Sequence, residues 1–438
     1  MYHLLAVNSP LFTIVIPTRN RAKYLEFAIR SCLAQRSTNF EVIVADNCSS
    51  PATREIVDLH RDERLRYLRS DEPLAMSENW ERSLREASGE YVTVVGDDDA
   101  LLSHALTDVE QLIRATNAKA LRWAQAYYRW PDVSAELGSN LFAVPLAVGS
   151  TWQASAELIP AVVNGEKHYA ELPTIYNSFV HRDILASIRK RNGRVIASMI
   201  PDIYTGFAVA AEAKIFVSSQ RPMSIAGVSA SSNGEAMMRK AGCADVARDF
   251  EDLNEQFGFR WHSRAPFVPR SLPAMIVESF EHARERFQGL EHIKVDRKRL
   301  IQRVIAERAQ SASADPDAIA NAVRGVREWI RCDSLLSSWF DKHLELLKTR
   351  HAAPSETFTV PTRGLHGYLL VLDVSEFEVR DTMAAVELFE KLTSSTKSPT
   401  PPPRITAPTW KNAVVPILPP ILLKTAQALL AKVREKLS

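Results

Sequence analysis

The chain has 438 residues and a formal net charge of +2, and 46% of its residues are hydrophobic while 24% are charged. This is the composition of an ordinary globular protein with room for roughly two or three domains. Because the chain has no strong basic excess, we expect no nucleic-acid partner. Its four scattered cysteines exclude a disulfide framework and favour a reducing, cytoplasmic setting.

The N-terminal segment lacks a basic stretch followed by a small-residue cleavage site, so we expect no signal peptide. No apolar stretch reaches the roughly 18 residues that a membrane-spanning helix needs. The sequence therefore predicts a cytoplasmic protein, either soluble or peripheral on the inner face of the cytoplasmic membrane.

Short apolar runs alternate with helical patterns over the first part of the chain. "FTIVI" (12–16) and "FEVIVADN" (40–47) are continuous β-rich runs, typical of strands that are buried on both faces. "LRYLRS" (65–70) and "EYVTVV" (90–95) predict two further strands, and helical spacing fills the intervals between them. This alternation predicts an α/β fold with a mostly parallel sheet that is covered by helices on both faces.

Polar clusters follow three of these strands. They are the Thr-Arg-Asn of residues 18–20, the Asp-Asn of residues 46–47 and the Asp-Asp-Asp of residues 97–99. Ligands of parallel α/β sheets bind beyond the carboxyl ends of the strands, so we expect the clusters to share one crevice. Neighbouring carboxylates resist joint ionisation unless positive charge is near. The aspartate run is therefore either a solvated turn or a cation site.

The rest of the chain divides by composition. Strand and helix patterns continue less regularly to residue 235, and residues 236–392 are mainly helical in pattern. Residues 393–409 form a Pro/Ser/Thr-rich linker that cannot build a packed core. Residues 410–438 predict an amphipathic helix with flanking lysines. That helix fits a membrane interface, the core of this protein or another subunit.

Three stretches together carry a family resemblance: "FTIVIPTRNRAKYLEFAIRSCLAQ", "FEVIVADNCSS" and "GEYVTVVGDDDALLSHAL". They resemble the start of a family 2 glycosyltransferase of the GT-A fold, closely over residues 10–115 and distantly over residues 116–235. The resemblance implies a Rossmann-like domain over residues 1–235 that binds a nucleotide-sugar and carries the catalytic site.

It also implies the reaction: inverting, metal-assisted transfer of a sugar from a nucleotide-diphospho-sugar, usually UDP-linked. The acceptor would be a hydroxyl of a glycan or of a lipid-linked molecule in bacterial surface polysaccharide biosynthesis. The residues that the resemblance places against the donor are Pro17, Thr18, Arg19, Asp46, Asn79 and Asp97. Among these, Asp46 matches the aspartate that accepts a hydrogen bond from the base. Where many members have an arginine before Asn79, this chain has Glu78, and Asn79 either touches the donor or caps a turn.

The aspartate run matches the metal motif of the family. Members often read Asp-x-Asp-Asp, so Gly96 stands at the first acidic position here. We expect Asp98 to be the chief ligand of Mn²⁺ or Mg²⁺ and Asp99 to be a further ligand, with Asp97 toward the ribose. Hard cations prefer oxygen ligands, and such a cation acts as a Lewis acid on the departing nucleoside diphosphate.

An inverting transfer needs a base that deprotonates the acceptor hydroxyl. In the family this base follows the metal motif by about 100 residues, so "SMIPDIYTGFAVA" makes Asp202 the candidate. The alternative is that Asp202 caps the helix that follows it. The Gly/Ser/Asn-rich segment 227–235 has the composition of a loop, either a plain one or one that closes over the donor.

Two other classes of protein fit parts of the pattern. A nucleotidyltransferase also uses carboxylates and a metal on an α/β sheet, but no Gly-rich loop follows the first strand here. A non-catalytic sugar-nucleotide-binding or scaffold protein on the same fold is favoured by Glu78, and is disfavoured by the retained Asp46 and Asp202.

Overall fold

The computed structural model describes residues 9–134, 138–232, 244–310, 317–349 and 363–394, together with the backbone of residues 405–406. Its strands are β1 (Phe12–Thr18), β2 (Phe40–Asp46), β3 (Leu65–Arg69), β4 (Tyr91–Val94), β5 (Ala100–Leu101), β6 (Ala120–Arg129), β7 (Leu141–Pro145), β8 (Ser150–Ala154), β9 (Ser178–His181), β10 (Ile215–Val228), β11 (Gly364–His366), β12 (Leu369–Asp373) and β13 (Ile405–Thr406).

Its helices are α1 (Ala22–Leu33), α2 (Pro51–Asp58), α3 (Met76–Glu86), α4 (Ala105–Thr116), α5 (Ser155–Val163), α6 (Arg182–Asn192), α7 (Pro201–Ala213), α8 (Ala244–Gln256), α9 (Leu272–Arg284), α10 (Arg297–Gln310), α11 (Ala318–Ile330), α12 (Ser334–Lys348) and α13 (Thr382–Ser394). A short 3-10 helix lies at Tyr169–Glu171. Among these described helices, none combines the length and the apolar character that crossing a membrane requires.

The first four strands form the parallel half of the sheet. β1 lies between β2 and β4 and runs parallel to both, and β3 continues the order beyond β2. Helices α1 and α4 pack on one face, while α3, α6 and α7 pack on the other. The predicted α/β fold, parallel at its N-terminal end and covered on both faces, is therefore confirmed. Because β1, β2 and β4 end at one edge, residues 18–20, 46–47 and 97–99 lie at that edge.

The other half of the sheet is mixed. β6 runs parallel to β10 but antiparallel to β7 and β9, and β9 joins this half to β4. The pairing of β10 with β6 shifts register between Ser219 and Ser224. Beyond that shift β10 continues to Val228, so its C-terminal end reaches the residues that follow β4.

The C-terminal part is mainly helical, as predicted. Helices α9 to α12 share an apolar cluster, and α9 also packs on α7, where the rings of Phe207 and Phe280 lie 5.5 Å apart. Residues 364–373 depart from this pattern, because β12 pairs with β7 and extends the main sheet. The sequence of β12, a five-residue apolar strand, does not indicate which strand of the sheet it will pair with.

The division of the chain at residues 235, 392 and 409 stays a prediction. Inside the predicted linker, residues 405–406 pair with β8. The amphipathic segment 410–438 lies outside the described residues, and its attachment to a membrane or to protein stays a prediction.

His104 at the start of α4 gives the fold a pH-dependent contribution. It is buried, its Nε2 lies 3.1 Å from the Pro222 carbonyl oxygen, and its ring stacks on Phe389. Burial, together with the charge of Arg221, lowers its pKa to about 3. His104 therefore binds a proton near pH 6.5 in the unfolded chain but stays neutral in the folded chain until the pH approaches 3. The free energy of unfolding falls as the pH drops from about 6.5 toward 3.

We expect His104→Gln to remove this dependence while keeping a donor for the Pro222 carbonyl. The free energy of unfolding of the wild type should fall relative to that of the variant by on the order of 2 kcal/mol between pH 7 and pH 4. Urea unfolding at several pH values measures this difference. Parallel pH profiles for the two proteins would contradict the assignment.

Candidate active site

The turns that follow β1 and β2 share one conformation. Asn20 and Cys48 each have a left-handed backbone, with φ of 57° and 54°. The Asn20 N–H donates to Ser49 Oγ at 2.8 Å, and the Ser50 N–H donates to Asn20 Oδ1 at 2.9 Å. Asparagine tolerates this conformation and its side chain bonds to nearby backbone. The two turns are therefore tied together, which keeps the ends of both strands side by side.

Asp97 and Asp98 share one guanidinium. Asp97 accepts a hydrogen bond from Thr18 Oγ1 at 2.7 Å and pairs with Arg21 Nη1 at 2.7 Å. Asp98 pairs with Arg21 Nη2 at 2.5 Å and accepts from Ser229 Oγ at 2.7 Å. Both carboxylates are buried. Arg21, which the sequence motifs did not indicate, thus neutralises part of the aspartate run.

Asp99 joins the end of β4 to β10. Its Oδ2 accepts from the Gly96 N–H at 2.8 Å and from the Tyr176 hydroxyl at 2.5 Å, while its Oδ1 accepts from the Gly227 N–H at 2.7 Å. A Cβ atom at residue 96 would lie 2.6 Å from Asp99 Oδ2. Glycine at the position where the family often has an acidic residue therefore follows from the inward turn of the Asp99 carboxylate.

The cluster holds more negative charge than Arg21 balances. Burial raises the pKa of Asp97 to about 6, with Arg21 opposing and Asp98 reinforcing the shift. Burial and the charge of Asp98 raise the pKa of Asp99 to about 7. Burial disfavours the charged form of Arg21, but the attraction of Asp97 and Asp98 outweighs it and raises the pKa of Arg21.

Oxygen ligands with an excess of negative charge suit a divalent cation in chemistry and charge. The arrangement of the side chains as metal ligands is less complete than their chemistry. In the described part of the chain, no three His, Cys, Asp or Glu side chains converge on one point. Asp97 and Asp98 are the pair that already shares a cationic partner, whereas Asp99 is occupied by three hydrogen-bond donors.

Asp46 lies at the same edge, fully buried at the end of β2. It accepts hydrogen bonds from the Ser49 N–H at 2.9 Å and from the Tyr67 hydroxyl at 2.5 Å, and Arg69 Nε is 3.6 Å away. Pro17 is paired with Ala45 in the same ladder. Pro17, Thr18, Asp46 and Asp97 are thus brought together at one edge.

Two other predicted donor residues are engaged elsewhere. Arg19 pairs with Asp249 of α8 at 3.2 Å, on the surface. Asn79 is buried, donates to the Ala45 carbonyl oxygen at 3.0 Å and accepts from Arg82 at 2.9 Å. Asn79 therefore supports the backbone of β2 in this structure.

Asp202 is half-buried in the first turn of α7. The residue at the N-cap position is Ile200, and Asp202 accepts from the Tyr169 hydroxyl at 3.4 Å. Burial raises its pKa, while the N–H groups of Ile203 and of Asp202 itself and the Tyr169 hydroxyl oppose the shift. Its carboxylate therefore faces both the helix N-terminus and the tyrosines beside the aspartate run.

α3 anchors the segment that leads to Asp202. Buried Glu81 accepts from the N–H groups of Val195 at 2.7 Å and Ile196 at 3.0 Å. Glu78 pairs with Arg194 at 2.5 Å. Glu78, which stands where many family members have an arginine, thus serves to hold this segment.

Sequence reasoning missed several residues of the site. Arg21 directly follows the polar turn after β1. A basic residue next to the predicted ligand-binding edge was therefore the signal from which Arg21 could have been predicted as a site residue. Gly227 and Val228 belong to β10 and not to a loop, because β10 stays paired with β6 as far as Val228. Ser229, just beyond the strand, contacts Asp98, and residues 233–235 lie outside the described residues.

Comparison with known proteins gives matches over the N-terminal part of the chain. Residues 13–141 match the profile of Glycosyl transferase family 2. Over 105 residues the chain is 39% identical to the GalNAc(5)-diNAcBac-PP-undecaprenol beta-1,3-glucosyltransferase of Campylobacter jejuni, a match that covers 23% of this chain and 34% of that protein. It is 34% identical over 101 residues to an abequosyltransferase of Salmonella typhimurium, covering 22% of this chain and 30% of that protein.

The chain thus spans about a third of the length of these relatives. A solved structure of Staphylococcus aureus TarS 1-349 in complex with UDP-GlcNAc aligns with a TM-score of 0.40 and 16% identity, over 76% of this chain and 91% of that chain.

Proposed function

We propose that this chain, whose residues 13–141 match the profile of Glycosyl transferase family 2, is a glycosyltransferase of bacterial polysaccharide biosynthesis. It would move a sugar from a nucleotide-diphospho-sugar, UDP-linked in our proposal, to a hydroxyl of a glycan or lipid-linked acceptor. One observation supports this most. The ends of β1, β2 and β4 lie at one edge, which carries Thr18, Asp46 and the aspartate run. Tyr176 bonds Asp99 of that run, Tyr169 bonds Asp202, and the two tyrosines interact electrostatically.

The donor would lie along the ends of β1 and β2. In this proposal Asp46 accepts a hydrogen bond from the base, and Thr18 and Asp97 face the ribose. Its support is that these groups are already held in place, Asp46 by Ser49 and Asp97 by Thr18. A prearranged acceptor loses little conformational entropy when the ligand binds.

Asp98 would hold Mn²⁺ or Mg²⁺, and the bound cation would supply Lewis-acid stabilisation of the departing nucleoside diphosphate. Arg21 holds the Asp97 and Asp98 carboxylates side by side before the donor arrives, because its guanidinium touches both. We assign Asp99, with its three donors, to orient the turn that carries Asp98 and to act as a further ligand only if those bonds are released.

Asp202 would remove the proton from the acceptor hydroxyl as that oxygen attacks the anomeric carbon, with inversion. A carboxyl group whose pKa is raised by burial is a stronger base than an exposed one. The name of the Campylobacter relative describes an undecaprenol-diphosphate-linked acceptor. This supports a lipid-linked molecule as one of the two acceptor classes.

Asp98→Ala tests the donor and metal assignments together. We expect the variant to lose at least about tenfold in UDP affinity measured with Mn²⁺ and to match the wild type without metal, because only the metal-dependent part of binding is removed. Isothermal titration calorimetry measures both affinities. Asp62→Ala is the matched control, since Asp62 pairs with Arg64 at the start of β3. An unchanged UDP affinity in Mn²⁺ would refute Asp98 as the chief ligand.

The alternative of a non-catalytic nucleotide-sugar-binding protein rested on Glu78. In the structure Glu78 has a contact of its own with Arg194, so its presence does not by itself indicate decay of the site. A nucleotidyltransferase would bind UTP or another nucleoside triphosphate as substrate. A thermal-shift panel of nucleotide-sugars and nucleoside triphosphates with Mn²⁺ separates a nucleotidyltransferase from a protein that binds nucleotide-sugars, and an assay of sugar transfer separates an enzyme from a non-catalytic binder.

A further inference from the structure

Within the part of the chain that the structure describes, the guanidinium group of Arg122 in β6 has no carboxylate partner. Its Nε donates to the Ala170 carbonyl oxygen at 2.9 Å, and its Nη1 donates to Ser218 Oγ at 2.8 Å. Among the residues that the structure describes, Arg122 forms no ion pair. Glu171, which acts on it electrostatically, is paired with Lys167 at 3.2 Å. The N–H groups of Nη2 and the second N–H of Nη1 therefore remain for another acceptor.

Some arginines around the site are paired with carboxylates, whereas Arg82, like Arg122, donates to neutral oxygens. Arg21 is balanced by Asp97, and Arg194 is balanced by Glu78. Arg122 is half-buried, and burial lowers its pKa. A charge that is withdrawn from water without a partner costs free energy. The two neutral acceptors of Arg122 do not balance its charge, so that charge is available to an anionic ligand.

The neighbours of Arg122 lead directly to the proposed base. Ala170 follows Tyr169, whose hydroxyl donates to Asp202 at 3.4 Å. Tyr127 interacts electrostatically with Arg122 and with Tyr169, and 43% of its surface is exposed. Tyr127 also interacts electrostatically with Asp99, so the guanidinium, the exposed ring and the carboxylate of Asp202 belong to one neighbourhood that includes the aspartate run.

We propose that Arg122 binds a phosphate group of the acceptor and that the ring of Tyr127 packs against the adjoining sugar. The inference rests on the proposed function, since it takes Asp202 as the base that faces the acceptor hydroxyl. Guanidinium groups bind phosphate through paired N–H donors, which the free end of Arg122 offers. A neutral sugar hydroxyl would need no full charge at this position.

Inorganic phosphate is the probe, titrated into the full chain in the presence of saturating UDP and Mn²⁺ so that the donor site is filled. We expect Arg122→Gln to weaken phosphate binding at least about tenfold and to leave UDP affinity unchanged. Arg122→Lys keeps the charge and should recover part of the affinity. Arg64→Gln, which breaks an arginine–aspartate pair at β3, is the matched control and should change neither affinity.

Tyr127→Glu provides a second test of the inference if Arg122→Gln does not fold. It places a carboxylate beside the guanidinium at an exposed position, so phosphate affinity should fall, whereas Tyr127→Phe should retain it. Equal phosphate affinity in the wild type and in Arg122→Gln, or in the wild type and in Tyr127→Glu, overturns the inference.

Vesicles identify the source of the phosphate. Arg122-dependent binding to phosphatidylcholine vesicles that contain phosphatidic acid, but not to pure phosphatidylcholine, supports a lipid-borne phosphate. Arg122-dependent binding of inorganic phosphate alone supports a phosphate carried by a glycan. If UDP does not bind to the wild type, the proposed donor is wrong, and phosphate titration without nucleotide still reports on Arg122.

Discussion

Replacement of Asp202 by asparagine is expected to lower kcat by about 10²- to 10⁴-fold and to leave donor affinity unchanged. Asparagine keeps the shape of the side chain and still accepts a hydrogen bond from Tyr169, but it cannot take up a proton. The loss should therefore appear in the transfer step and not in binding. Sugar transfer from the donor that the thermal-shift panel identifies measures kcat, and calorimetry measures donor affinity.

The chain offers a matched control for this change. Asp183 lies in the first turn of α6, as Asp202 does in α7, but it is exposed and pairs with Lys119. Asp183→Asn should leave kcat unchanged, since it alters a similar helix start away from the tyrosines. Full activity in Asp202→Asn would place the base elsewhere.

The pH profile adds an independent reading of Asp202. Burial raises its pKa from the usual 3.8, so kcat/KM should rise with pH through an acid limb that lies above that value. The limb reports the deprotonation that makes the carboxylate a base. Tyr169→Phe removes a hydrogen bond that lowers this pKa, so the limb should move to higher pH. An acid limb that stays in place in Tyr169→Phe would contradict the contact.

Replacement of Gly227 by alanine is expected to destabilise the fold strongly. A Cβ atom there would lie 1.7 Å from the carbonyl oxygen of Asp98 and 2.9 Å from Trp130 Nε1, which donates to the same oxygen at 3.0 Å. The obstacle is backbone, so no side-chain rotation relieves it. Either β10 or the aspartate turn must move, and the hydrogen bond from the Gly227 N–H to Asp99 must break.

We expect Gly227→Ala to lower the free energy of unfolding by about 3 kcal/mol or more. Metal-dependent UDP binding should weaken with it, because the turn that carries Asp98 is displaced. Urea unfolding measures the first effect and calorimetry the second. Gly193→Ala is the control: no atom of the described residues lies within 4 Å of a Cβ there, and a φ of +75° opposes the substitution, at a cost of about 1 kcal/mol. Equal losses in the free energy of unfolding of the two variants would show that β10 does not pack closely against the turn that carries Asp98.

Two departures from the family pattern acquire physical explanations in the fold. Gly96 leaves room for the carboxylate of Asp99, which turns inward to bond Gly227. Glu78 holds Arg194 in the segment before Asp202. In both cases the residue serves a contact with a part of the chain more than 100 positions away. A motif compared position by position cannot show such a contact.

The sequence by itself determined the parallel part of the sheet and the edge at which its polar residues meet. Continuous apolar runs need burial on both faces, and parallel strands present their carboxyl ends together, so local patterns were sufficient to bring residues 18–20, 46–47 and 97–99 to one edge. The role of Asp202 also came from the sequence and stays a prediction. Its place near that edge depends on α3, which bonds the segment before α7.

Only the tertiary structure decided how the three aspartates differ. Arg21 is shared by Asp97 and Asp98, while β10 arrives from about 130 residues later to bond Asp99. The bonds of Arg122 to neutral oxygens and the return of β12 to the sheet were equally invisible in the sequence. The physical reason is common to all of them. Hydrophobic periodicity reports which side of an element is buried, but charge pairing and strand pairing depend on which distant groups pack against it.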